Sequence, residues 1–376
     1  MEEITLKRAN ELLREGNYTA AVEAFQALKK KMPSTRIFDI GLEHASRELA
    51  RLSTGDRRIE FIHPSSTDIQ TSDSPLFCVA TSVRNGGPYL LEVLESVFSQ
   101  SGEFFIDYFV KDAESTDGTL GLLRDFGDRI SSGKLLLRCK GLRLRVDSGP
   151  DSGLYDGLAI AFSHPAWRSD PKNILTYINS DDYYHEGAFA LVANIFAELP
   201  ARWVCGQVHT VSESKKPICT PDFPLTYARE DILEGLHNGE DLYFIQQEGN
   251  FWLRGLYDEC GGLNSSLRLA GDFDLWNRFA ERTEPLAVDR PLASFRYREG
   301  QLSESMEVYS REMSAVLQRL PASEPTPALP LSYPFYFPSR KAPRKATAQR
   351  PGAVCFLNPD GTIREVAYVK RGWYCW

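Results

Sequence analysis

Between Pro75 and about Met313, short apolar runs alternate with segments whose apolar positions recur at helical spacing. The runs Leu76–Ala80, Ile106–Val110, Leu135–Leu137, Ile174–Ile178 and Val204–Val211 predict strands. Helices are predicted around Tyr89–Ser99, Thr119–Phe126, Leu154–Ser163 and Ala188–Glu198. Strands that alternate with helices predict an α/β fold with a largely parallel sheet. Residues 53–74 are polar and without period, and read as a linker between a helical segment at 1–52 and the main domain at 75–320. After Leu320 the texture changes: eight of the 22 prolines crowd into 321–351, too many for a packed core, so 321–350 reads as a Pro-rich basic linker. The last segment, 351–376, alternates well enough for a β-hairpin turning at Asn358-Pro359-Asp360-Gly361.

The first helical segment, 5–33, breaks at Gly16-Asn17. Its landmarks Leu13, Gly16, Tyr18, Ala21, Phe25 and Pro33 resemble one tetratricopeptide repeat, a helix–turn–helix unit. A third helix, about Phe38 to Leu52, would cap the pair. One repeat falls short of the roughly three that stack stably. Two readings follow: a hairpin packed on the main domain, or a surface for self-association or a partner enzyme.

Composition narrows the class. With 42% hydrophobic and 25% charged residues the chain reads as a soluble globular protein. A net charge of −8 argues against a nucleic-acid partner, which needs a strongly basic face. No apolar stretch reaches the length of a membrane span, and Met1-Glu2-Glu3 opens an acidic amphipathic segment unlike a signal peptide. The seven cysteines are scattered without C-x-x-C spacing, as expected of buried thiols in a reducing cytoplasm. The six histidines form no H-E-x-x-H pattern, so any metal would be held by carboxylates.

The chemistry concentrates where the run Ile174–Ile178 ends in Asn179-Ser180-Asp181-Asp182. Ligands of open α/β sheets bind at the carboxyl ends of the strands. Paired acids there suit a hard divalent cation bridging to a diphosphate. The plainer reading is a polar turn, since these residues all favour turns. Four further segments surround the pair: Val79–Asn85; Lys111-Asp112-Ala113-Glu114-Ser115-Thr116-Asp117-Gly118-Thr119; Gln247-Glu248-Gly249-Asn250-Phe251-Trp252-Leu253-Arg254 with Gly261-Gly262-Leu263; and Gly271-Asp272-Phe273-Asp274-Leu275-Trp276. Together with Asp151–Asp156, over about 75–305 and in the same order, they resemble the inverting glycosyltransferases of family 2, whose nucleotide-sugar-binding architecture is called GT-A.

The resemblance implies a Rossmann-like GT-A sheet flanked by helices and a set of site residues. Thr81 and Asp112, at the ends of adjacent strands, would meet the nucleotide base and ribose. Asp112 and Ser115 also fit helix caps, and here Asp112 is taken as a site residue and Ser115 as the cap. Asp156, with Asp151 in the same Gly-rich loop, would line the donor pocket, although an acid in a first helical turn is also favoured by the helix dipole. Asp181 and Asp182 would clamp Mn²⁺ or Mg²⁺ against the diphosphate, which needs a Lewis acid as charge develops. Where relatives carry F-R-x-H-x-x-Q-x-S, this chain has Arg298 at the histidine position, a side chain that cannot ligate a cation but can offset diphosphate charge. Glu248 would line the sugar pocket; Trp252 fits a sugar-stacking surface or the core equally, and Trp276 reads as core.

Asp272 would be the general base, acting without the Glu that usually precedes it, since Gly271 stands there. Its rival Asp274 would project about 200° around the helix. The expected reaction is transfer of a sugar from a UDP-, dTDP- or GDP-linked donor to a glycan or lipid-linked acceptor, as in bacterial surface-polysaccharide assembly. It would take place in the cytoplasm; the aromatic and basic tract 331–350 reads either as a solvated linker whose aromatics pack on the main domain or as a peripheral contact with the inner face of the membrane. An inactive sugar-nucleotide-binding scaffold is the alternative. A nucleotidyltransferase would need a phosphate-cradling Gly-rich loop after the first strand, and none is present.

Overall fold

The computed structural model describes residues 5–14, 18–33, 57–66, 73–221, 225–302, 305–318 and 352–369, with single positions at 35, 38, 39, 42, 46 and 350. Among these residues twelve strands make one sheet. Its parallel centre is β2 (Leu76–Val83), β3 (Phe105–Asp112), β4 (Gly141–Ser148) and β5 (Ile174–Tyr177), in the order β4-β3-β2-β5. The chain builds outward from β2 to β4 and then crosses back to lay β5 on the other side of β2. That reversal makes a switch point between β2 and β5, where strand ends diverge and leave a crevice. The sheet continues through β7 (Trp203–Ser212) and β10 (Leu286–Tyr297), which are parallel to each other, while β9 (Asn250–Leu253) runs reversed between β5 and β7. Short β6 (Tyr183–Tyr184) pairs with β10, and β8 (Pro217–Cys219) with β7.

Helices cover both faces, as a sheet buried on two sides requires. One face packs α3 (Leu90–Phe98), α4 (Thr119–Ser131) and α6 (Ala188–Glu198) through Leu90, Val93, Leu123, Phe126, Phe189 and Val192. The other packs α5 (Leu154–Phe162), α8 (Arg254–Glu259) and α9 (Gly271–Ala280) through Tyr155, Leu158, Leu256, Leu275 and Trp276. Short α7 (Arg229–Leu233) precedes α8, and α10 (Met306–Leu317) follows β10.

Two expectations change. Leu135–Leu137 is not a strand: Leu136 is 67% exposed, and the strand is Gly141–Ser148, where Leu142, Leu144 and Val146 are buried and alternate with Arg143 and Arg145. Those arginines are taken up by acids: Arg145 Nε donates to Asp107 at 2.9 Å, and Arg143 pairs with Glu60 at 3.0 Å. The presumed linker is structured at Arg58–Ile62, which forms β1, antiparallel on β4. Its Phe61 is buried against Gly127 of α4, where a Cβ would meet the Phe61 ring at 2.3 Å. Gly127→Val should therefore cost about 1–3 kcal/mol by overpacking, read as a lower urea midpoint; an unchanged midpoint would mean that β1 contributes nothing to the fold.

The N-terminal hairpin forms from α1 (Leu6–Arg14) and α2 (Tyr18–Lys31), around Ala9, Leu12, Ala21, Phe25 and Leu28. Gly16 lies outside the described residues, as does most of Phe38–Leu52; within them Ala21 and Phe25 are buried between the two helices. The tract 321–349 also lies outside them. The C-terminal hairpin is present as β11 (Gly352–Leu357) and β12 (Ile363–Val369), turning at Asn358–Gly361. It does not stand apart, because β11 pairs parallel with β10 and extends the main sheet.

Candidate active site

The site gathers at the carboxyl ends of β2, β3, β4 and β5, beside the end of β10 and the start of α9. The loop after β5 places Asp181 and Asp182 differently. Asp182 is 1% exposed: its Oδ1 accepts from the Arg296 backbone N–H at 2.7 Å and its Oδ2 from Asn179 Nδ2 at 3.2 Å. Asp181 is part-buried, with 14% of its side chain exposed, and its Oδ2 accepts from Arg298 Nε at 2.6 Å. The turn is pinned by Arg296, whose fully buried guanidinium donates to the Asp181 carbonyl at 2.7 Å, the Glu213 carbonyl at 2.8 Å and Glu92 at 2.5 Å. Tyr89 stacks on it at 4.7 Å. The side-by-side register of β6 and β10, with Ser294 opposite Tyr183, delivers Arg296 and Arg298 to this turn.

Glu248 belongs to the same group. It is 2% exposed, and its Oε1 accepts from Gln247 Nε2 at 2.5 Å and Asn179 Nδ2 at 3.4 Å. Burial pushes its carboxyl up to about 7, and the charge of Asp272 adds to the rise. Asp182 is also raised well above the usual carboxylate range, first by burial and then by Glu248. Two buried carboxyls this close favour one shared proton.

Asp272 sits in the first turn of α9. Its Oδ1 accepts from the Phe273 N–H at 2.8 Å and the Tyr309 hydroxyl at 3.1 Å. The Tyr155 hydroxyl lies 3.1 Å from the same oxygen and 2.9 Å from the Leu269 carbonyl. Its Oδ2 has no partner among the described residues. A cavity of about 10 Å³ behind it is walled by Ile232, Phe244, Ile245, Phe273 and Trp276. Desolvation there raises the Asp272 carboxyl to about 6, against the lowering effect of its hydrogen bonds. Gly271 has a physical role: a Cβ at that position would meet the Tyr155 ring at 2.6 Å. The ring occupies the space that a larger residue before Asp272 would need. Tyr309 arrives on α10, whose Glu312 accepts from the backbone N–H groups of Arg268, Leu269 and Ala270 at 2.8–2.9 Å and so docks that helix against the entrance to α9.

Other predicted residues are committed elsewhere. Thr81 is fully buried, its hydroxyl donating to the Ile178 carbonyl at 2.6 Å and lying 2.8 Å from Tyr108 OH, so it fixes the strand ends and does not reach the crevice. Asp112 is fully buried and accepts from Ser148 Oγ at 2.7 Å and the Ser115 N–H at 3.3 Å. Ser115 caps no helix: its Oγ accepts from Asn85 N–H at 2.7 Å, and Asp117 takes the Thr119 N–H at 3.1 Å. Asp156 accepts from Ser152 N–H at 2.8 Å, the first-turn role. Trp252 and Trp276 are core, 5.5 Å apart and edge to face. Asp274 is tied to Arg278 at 2.5 Å on the far side of α9 from Asp272.

Residues 78–258 match the family model described as Glycosyl transferase family 2. Over that stretch the sequence is similar to family 2 glycosyltransferases. The chain is a nucleotide-sugar-dependent glycosyltransferase, with the GT-A sheet expected of one. The matched stretch ends before Asp272, Arg298 and Tyr309, so their roles rest on geometry. No curated protein matches the glycosyltransferase closely enough to count as a relative. Two solved structures similar to it are S. aureus TarS 1-349 in complex with UDP-GlcNAc and the mannosyltransferase PcManGT from Pyrobaculum calidifontis in complex with GDP-Man and Mn²⁺. The first is 14% identical over 66% of this chain and 68% of that one, with a TM-score of 0.48. The second is 16% identical over 69% and 68%, with a TM-score of 0.46.

A divalent ion fits this donor set poorly. Asp182, expected as a ligand, faces the interior with both oxygens engaged, and one oxygen of Asp181 is taken by a guanidinium. Among the described residues no group of three His, Cys, Asp or Glu side chains could hold a metal. Likewise, among those residues no helix is long and apolar enough to cross a membrane.

Proposed function

We propose that the enzyme moves a sugar from a nucleoside diphosphate to an acceptor hydroxyl in one inverting displacement, with Asp272 as general base. The observation that carries this reading is the state of Asp272: one oxygen held by a backbone N–H and tyrosine hydroxyls, the other without a partner, and the carboxyl raised to about 6. A base poised near neutrality and held in one orientation is what proton transfer to a carboxylate requires.

The acceptor O–H gives its proton to Asp272 Oδ2 as its oxygen bonds to the anomeric carbon. The bond from that carbon to the phosphate oxygen breaks, and its electron pair leaves with the nucleoside diphosphate. Arg298, at the end of β10 and held by Asp181 on the loop after β5, is the cation proposed to face the departing diphosphate. Glu248, which feels the charge of Asp272, is proposed to line the sugar pocket between them. The proposed donors are UDP-, dTDP- or GDP-sugars and the proposed acceptor a glycan or lipid-linked hydroxyl.

Incubating the full chain with α-linked donors of each base should release nucleoside diphosphate. With a hydroxyl acceptor, the anomeric proton coupling in the product should report a β-linkage. Release of pyrophosphate, or an α-linked product, would overturn this reading.

A further inference from the structure

We propose that the guanidinium of Arg298 takes the diphosphate in place of a divalent cation, so that the enzyme holds its nucleotide with metal removed. This rests on the nucleotide-sugar reading of the site.

Arg298 lies one residue beyond β10, and its backbone N–H is fixed by Gln301 Oε1 at 3.1 Å. Its Nε is anchored on Asp181 Oδ2. The side chain is 35% exposed, and Nη1 and Nη2 have no partner among the described residues. With Nε anchored, the outer edge of the fork, two parallel N–H groups, is left for a ligand. That edge matches two oxygens of a phosphate, and the charge persists at every working pH. The Asp181–Arg298 contact takes Oδ2, one of the two oxygens with which Asp181 could meet a cation. A metal entering there would face a positive charge and would displace a charge-assisted hydrogen bond. Mg²⁺-type ions also need near-octahedral oxygen ligation by one or two carboxylates plus phosphates. Here the second carboxylate, Asp182, is turned inward by the Arg296 N–H and Asn179. The carboxylate that would have ligated a cation instead orients the residue that replaces it.

The test is calorimetric titration of UDP, dTDP and GDP into the full-length protein, once with EDTA and once with Mn²⁺. The preferred nucleotide should bind in EDTA within about threefold of its affinity in Mn²⁺. Arg298→Ala should weaken binding in EDTA by roughly 10–100-fold, the worth of a charge-assisted hydrogen bond or a bidentate pair. Arg298→Lys keeps the charge without the fork and should restore only part of that loss. If Arg298→Ala shifts the melting curve, the parent and Arg298→Lys titrations still decide the matter. Nucleotide bound only with Mn²⁺ would overturn the proposal while leaving the donor reading intact, as would Lys or Ala variants binding like the parent in EDTA. No nucleotide bound under either condition would sink the donor reading and this proposal together.

Discussion

Asp272→Asn is expected to cut sugar transfer by roughly 10²–10⁴-fold, the usual worth of a general base, while leaving the fold and nucleotide binding in place. The amide keeps an oxygen where Oδ1 accepts from Phe273 N–H and Tyr309 OH, so the start of α9 stays ordered. It removes the carboxylate oxygen proposed to accept the proton of the acceptor hydroxyl. The nucleotide site is on other elements, the loop after β5 and the end of β10, and should be indifferent to the change. Asp274→Asn is the contrast: it breaks the pair with Arg278 and should lower stability with little effect on turnover. Near-normal transfer by Asp272→Asn, with loss in Asp274→Asn, would move the base by two residues.

The same carboxyl predicts the pH profile. A base acts in its ionised form, so kcat/KM should fall with unit slope as pH drops through about 6 and level off above 7. The sign for stability is opposite. A carboxyl raised from 3.8 to about 6 on folding ionises at a cost, so its contribution is whole below the unfolded value and lost as pH rises through 6. That loss is on the order of 2–3 kcal/mol at pH 8. Asp272→Asn should therefore be at least as stable as the parent at pH 8. A less stable variant there would mean that the ionised carboxylate holds the fold together instead of straining it.

The largest loss of stability is expected from Arg296→Met, about 3–5 kcal/mol by urea denaturation. Arg296 is 2% exposed and serves three acceptors at once, the carbonyls of Asp181 and Glu213 and the carboxylate of Glu92. Methionine fills the volume but leaves buried acceptors unmet, and such groups cost their full desolvation. Arg296→Lys should recover little, because one ammonium cannot span three acceptors in the geometry of a planar fork. Because this side chain fixes the Asp181–Asp182 turn, nucleotide affinity should fall with stability. Arg311→Met, at a 72% exposed ion pair on α10, should stay within about 0.5 kcal/mol of the parent. A similar small change at Arg296 would refute its role as the pin.

The local sequence was sufficient wherever burial on both faces leaves a continuous apolar run. Leu76–Val83, Phe105–Asp112, Ile174–Tyr177 and Trp203–Ser212 were legible for that reason, as was the class of sheet they build. It failed where one strand face carries charge: Arg143 and Arg145 masked β4, and Arg58 and Glu60 masked β1, because their acidic and basic partners lie on neighbouring strands far along the chain. The paired acids after β5 and Asp272 in the first turn of a helix were visible as residue types at strand and helix ends. Which acid faces inward was not, since that depends on Arg296 more than a hundred residues away. Tyr309 carried no sequence signal, because it reaches Asp272 only through the docking of α10 by Glu312. Tyr155 stood in a recognised segment, yet its contact with α9 exists only because Gly271 leaves room for its ring. Sequence by itself therefore determined the doubly buried strands, the helices between them and the chemical types at their ends, which follow from local periodicity and turn preference. Tertiary structure alone decided which of those carboxylates are spent on backbone N–H groups and which keep an oxygen for a ligand, because desolvation and long-range hydrogen bonds are set by neighbours that the local chain does not contain.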